Sequence, residues 1–144
     1  MPYPAHEPTF LPLTVSAACA AASGAADPLA RDNALVVWSM AEEANRAAAD
    51  CWAAMLGGCN SSSLRALITR LNDLSEATSC YAGVHWWLGR GSLHRTRVVA
   101  AEVRIDEAVR EGDGADFAEA FVGYDQAVAT VVVHAQSRLE SPTT

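Results

Sequence analysis

Three of the four histidines and two of the four tryptophans fall within residues 85–134 of a chain that has ten arginines and no lysine. Imidazoles titrate near neutrality and can serve as general bases, metal ligands or switchable cations. Arginines hold carboxylate or phosphate through paired N–H groups. The densest run is Arg90-Gly-Ser-Leu-His-Arg-Thr-Arg97, which crosses a glycine-rich break into the start of a helix. Backbone N–H groups at such a start already favour an anion. Three arginines beside the positive end of the helix dipole are unfavourable unless something negative compensates. The chemistry expected here is capture of a phosphate, a carboxylate or an acidic protein surface. Arg90, Arg95 and Arg97 are the expected contacts, with His85, Trp86, His94, His134 and Asp32 around them. His85 beside Asp32 has the makings of an oriented base; the plainer expectation is an interior histidine satisfied by Asp32 or Thr96.

Other chemistries are excluded by what is missing. Without lysine there is neither a Schiff-base nor a P-loop amine. A net charge of −7 argues against general binding to nucleic acid or to an anionic membrane surface. The four cysteines form no Cys-x-x-Cys pair, and there is no Glu-x-x-His and no Gly-x-Ser-x-Gly; no metal, cofactor or catalytic residue is expected. Cys51 and Cys80 fall on apolar stripes and read as small, reduced hydrophobes. The stretch Phe10-Leu-Pro-Leu through Ala26 resembles the later half of an export signal, but no Arg or Lys precedes it, and an export signal starts with that charge. No stretch has the length and apolarity to cross a bilayer. The expected location is cytoplasmic.

The elements that must position these residues are all helical. Residues 1–12 hold most of the prolines and read as an extended arm; residues 13–144 read as one domain with helices over about 13–26, 28–56, 61–88, 92–111 and 114–140. Asp27-Pro28, Asn60 with serines 61–63, Ser92 and Asp113 are start signals; Gly57-Gly58, Gly89 and Gly112 are stops. The apolar stripes are Leu29, Val36, Met40, Ala47, Cys51 and Met55; then Leu64, Leu67, Leu71, Leu74, Thr78, Tyr81, His85 and Leu88; then Val98, Val99, Val103, Ile105 and Val109; then Phe117, Phe121, Tyr124, Val128, Val131, Ala135 and Leu139. The breaks between the last four helices are short, so neighbours must run antiparallel. The expected fold is therefore all-α, an up-down antiparallel four-helix bundle with an additional N-terminal helical segment.

Folding each hairpin about its break sets Asp32 level with His85, and His134 level with His94. The histidines, five arginines and Trp86 and Trp87 then share one end, while Glu107, Glu111, Asp113, Asp116 and Glu119 occupy the other. Glu102 sits level with Tyr124, whose hydroxyl is its expected partner. Trp38 and Trp52 lie on a second apolar face, expected to meet residues 10–26 or a second copy. The functional expectation is a non-enzymatic protein acting through protein–protein contact, a self-associating regulatory, immunity-type or accessory factor, with a homodimer or another protein as partner. The alternative is a small-molecule-binding protein or small enzyme with an anion pocket at the His/Arg/Trp end.

Overall fold

The computed structural model describes residues 9–58 and 61–140, Ser61 without its side chain. All regular structure among them is helical: α1 (Pro12–Gly24), α2 (Pro28–Gly57), α3 (Ser61–Ala82), α4 (Val84–Leu88), α5 (Ser92–Glu111) and α6 (Gly114–Glu140). Most of the expected arm, Cys59, Asn60 and Pro142 lie outside the described residues. The described end of the arm is not extended into solvent: Leu11 is fully buried and Phe10 packs on the core.

Local signals place most boundaries. The Asp27 carboxylate accepts from the Ala30 N–H at 3.0 Å ahead of Pro28. Gly58 and Gly112 close α2 and α5 with φ of 81° and 68°, where a side chain would strain the backbone. Asp113 accepts from the Asp116 N–H at 3.0 Å. Ser92 does not cap α5; Gly91 holds that position and no side chain closes the helix start.

The expected helix over 61–88 is broken. Gly83 adopts φ 99°, a conformation open to glycine and costly for other residues, and the chain restarts as the single-turn-and-a-half α4. The apolar rhythm continues across the break on paper, yet His85 and Leu88 are exposed and Trp87 is buried instead. A periodic pattern cannot register a reversal in φ. On α2 the buried face is Ala34, Val37, Ala41, Ala44, Ala48 and Cys51, while Leu29 and Val36 of the expected stripe are exposed. Small side chains there let α1 and α3 both lie close to α2. Cys80, Val99, Val103 and Leu139 are likewise exposed rather than in the core.

Helix α6 is the common partner, touching α1, α2, α3 and α5. It buries Phe117, Phe121, Tyr124, Val128, Val131 and Ala135, each large side chain contributing about 1.5–3 kcal/mol. Ion pairs across the helices fix the register. Glu43 meets Arg70 across α2 and α3 at 3.3 Å, and Arg104 meets Asp116 across α5 and α6 at 3.4 Å; both pairs run in opposite directions. Helices α1 and α6 run the same way, with Leu13 beside Asp125 and Gly24 beside Glu140.

The seating of α1 depends on two polar side chains. Asp125 is 3% exposed and accepts from the N–H of Leu13 (3.0 Å) and Thr14 (2.8 Å) and from the Thr14 hydroxyl (2.7 Å). Asn45 accepts from the N–H of Phe10 (2.6 Å) and Leu11 (3.3 Å). Helix starts leave four such donors unpaired. Here a carboxylate from a distant helix satisfies two of them, those of Leu13 and Thr14, and its charge suits the positive helix end.

Candidate functional site

Helix α4 carries Trp86. The Gly91 N–H donates to the Trp86 carbonyl at 2.7 Å, and the indole lies so close over Gly91 that a Cβ there would sit 2.6 Å from the ring. Around the indole stand His134 of α6, stacked at 5.2 Å and 26°, and His94 of α5, stacked at 5.7 Å and 24°. The two imidazoles are 6.0 Å apart. The Arg138 guanidinium lies 5.0 Å from the indole centroid, a cation–π distance. Arg138 also donates to the Ala82 carbonyl at 3.1 Å, and Arg95 to the Trp87 carbonyl at 3.1 Å. Both arginines thus serve the negative carbonyl ends of α3 and α4.

Of the residues expected at this end, the structure brings together Trp86, His94 and His134. Arg97 joins His94 on one wall of a neighbouring cleft. Arg95 turns inward to its carbonyl rather than lying beside Arg97. Arg90 is exposed, and no ion pair joins it to a described residue. His85 is exposed, not interior, and Asp32 is exposed on α2; among the described residues no hydrogen bond links them, because the break at Gly83 rotates His85 off the α3 stripe. Thr96 donates to its own helix at Ser92 (2.9 Å). Arg138 lies one turn beyond His134, a spacing that puts it on the same face of α6.

The pKa of His94 is lowered, chiefly by burial and then by the positive influence of His134 and Arg97. No carboxylate orients either imidazole by a hydrogen bond among the described residues, so the geometry lacks the Asp–His relay that a general base at this end would use. No three His, Cys, Asp or Glu side chains among the described residues converge as metal ligands.

Two open clefts flank α6. One, ≈ 400 Å³, lies against α5 and is lined by His94, Arg97 and Arg104 with Gln126, Thr130 and small residues opposite. The other, ≈ 700 Å³, runs between α1 and α6 and is lined by Leu13, Ala17, Ala20, Ala129 and Val133, with His134 at one end. Leu13 and Val133 remain 49% and 55% exposed.

The opposite end holds a second aromatic group. Phe10 packs on Trp52, Phe117 and Phe121 at 6.0, 5.5 and 5.3 Å. Trp52 is therefore taken up by the N-terminal segment and α6. Trp38 stays at the surface, its indole N–H donating to Glu42 at 3.1 Å. The two tryptophans do not share one partner. Glu102 is not bonded directly to Tyr124: the Ser75 hydroxyl donates to Glu102 at 2.7 Å and lies 3.3 Å from the Tyr124 hydroxyl, which reaches the Leu71 carbonyl. Burial raises the pKa of Glu102, partly offset by that Ser75 hydrogen bond. Burial pushes the Cys51 thiol up to about 11, which leaves it protonated and unreactive at neutral pH.

Comparison with known proteins finds no matching family model, no similar curated protein and no similar solved structure.

Proposed function

We propose that this protein is a non-enzymatic, cytoplasmic factor that works through protein–protein contact, and that its first partner is a second copy of itself. In this reading α2, α3, α5 and α6 form an up-down four-helix bundle whose α2–α6 edge is opened by α1, and the new face made by α1 and α6 is the interface. The observation that carries it is the α1–α6 groove: among the described residues no Asp, Glu or Arg lines it, in a chain with 17 acidic and 10 basic residues. Depletion of charge at the centre of a surface patch is the compositional mark of an interface. A face without carboxylates or arginines offers little to attract a charged partner and adds no local like-charge contact between two copies that each carry −7. Ser16, Ala17, Ala20 and Ala129 are small enough for helices of two copies to approach closely. The His/Trp end supports the same reading, since Trp86 is covered by side chains and by Gly91 rather than standing open over a pocket.

Sedimentation of the full chain tests this. The expected result is a dimer that Leu13→Asp with Val133→Asp converts to a folded monomer, while Trp38→Ser leaves it dimeric. A monomer at every accessible concentration, or a dimer untouched by the groove pair, sinks the proposal.

A further inference from the structure

We infer that the cleft between α5 and α6 binds a small organic anion, a compact carboxylate or phosphate with a short apolar body, held by His94 and Arg97 of α5 and the side-chain amide of Gln126 on α6. This goes beyond the self-association reading and does not depend on it. The cleft's ≈ 400 Å³ falls at the lower end of small-ligand pockets, roughly 300–1,000 Å³. Its space comes from Ala100, Ala101, Gly123 and Ala127; even a Cβ on Gly123 would meet nothing within 4 Å.

The polar groups divide into those committed elsewhere and those available. Thr130 gives its hydroxyl proton to the Gln126 carbonyl at 2.6 Å, so only its oxygen faces a ligand, and an oxygen lone pair does not hold an anion. Arg104 is paired with Asp116 at 3.4 Å and closes the far end. Arg97 has no ion-pair partner among the described residues, and the Gln126 side chain makes no hydrogen bond there. Arg97 follows His94 by three residues and Arg104 follows Arg97 by seven, spacings that keep all three on one face of α5, which is why one cleft collects them. No carboxylate among the described residues lines it, although carboxylates outnumber arginines by 17 to 10 in the chain.

The neighbours of His94 give binding a pH signature. Facing it are Arg97 on its own helix, His134 from α6, and from α4 only the indole of Trp86, which does not titrate. A bound anion offsets those positive neighbours, so His94 takes up a proton on binding and affinity rises as pH falls through the histidine range.

The test titrates the full chain with inorganic phosphate, succinate and citrate at fixed ionic strength against a chloride reference. Thermal melting and the His94 imidazole NMR signals are the readouts. The expected result is a saturable rise in melting temperature for at least one of the three, with the His94 titration midpoint moving upward. Affinity should fall about tenfold in Arg97→Gln, the worth of one charge-assisted hydrogen bond, and stay unchanged in Arg90→Gln. Both residues are exposed, so folding should survive each change, as circular dichroism will show. No anion acting beyond chloride overturns the inference. So does binding that Arg90→Gln weakens and Arg97→Gln does not. The two clefts share Gln126 and Thr130, so sedimentation with and without phosphate is run alongside. A groove variant that is monomeric yet still binds separates failure of the dimer from failure of the anion site.

Discussion

The two aromatic groups of this protein sit on the same helix and have opposite characters. Phe117, Phe121 and Tyr124 near the start of α6 are buried and gather Phe10 and Trp52 around them. Near the other end, about 25 Å along the helix at 1.5 Å per residue, His134 and His94 both stack on Trp86, whose ring also lies under the Arg138 guanidinium, with His134 and Arg138 both exposed. The first group is held by the removal of apolar surface from water. The second is held by stacking and cation–π contact among groups that carry or can acquire charge, and these are weak near solvent. One end is therefore built to be permanent and the other to respond.

The sharpest way to break this contrast is at the permanent end. Phe117→Ala removes a fully buried ring and should cost about 3–5 kcal/mol of stability, read as a fall in the urea midpoint. A cost nearer that of an exposed residue would show that the Phe10–Trp52–Phe117 group is a surface assembly like the other. Next in size is Asp125→Ala, which leaves the Leu13 and Thr14 N–H donors without their carboxylate and should cost about 2–3 kcal/mol. Amide exchange should rise along α1 while α3 and α5 keep their protection; uniform loss would mean that α1 and the rest of the core open as one unit.

The smallest effect belongs to the responsive end. His94 has a folded-state pKa below its ordinary value of 6.5, so below that value the unfolded chain binds more protons than the folded one. Stability should fall as pH drops from about 6.5 through the folded pKa and then level off. The loss should be modest, because the group is only partly buried, and His94→Gln should remove it. A pH dependence of the same size in His94→Gln would shift the responsibility to other groups and erase the distinction between the two ends. Trp86 fluorescence provides the local readout, since its ring touches both imidazoles.

Much of the site was legible because helical register is arithmetic. A short break at Gly112 sets α5 against α6, and counting outward from it puts His94 beside His134, 6.0 Å apart in the structure. The same counting failed for His85 and Asp32, because it assumed a helix running through Gly83. Residue spacing also cannot say which way an arginine turns: Arg95 and Arg97 are two residues apart, yet one caps a carbonyl and the other lines a cleft. Nothing in the sequence marks Asp125 as the seat of α1. It lies next to Tyr124 on a strongly apolar helix, and its partners are more than a hundred residues away.

Residue types and spacing alone determined that the chain is helical, where most helices begin and end, and which face of α6 is buried. Those outcomes follow from local terms: alanine propensity, aspartate and proline at helix starts, glycine at left-handed ends, and apolar residues repeating every three to four positions. Tertiary structure alone decided that α1 seats on Asp125 and Asn45, that Trp52 is covered while Trp38 is not, and that small residues on α2 outrank its larger ones at the core. Each of these is a competition between distant groups for one space or one hydrogen bond, and its outcome depends on how closely two backbones can approach. The free energy of such contacts belongs to pairs of residues far apart in the chain, so no single segment encodes it.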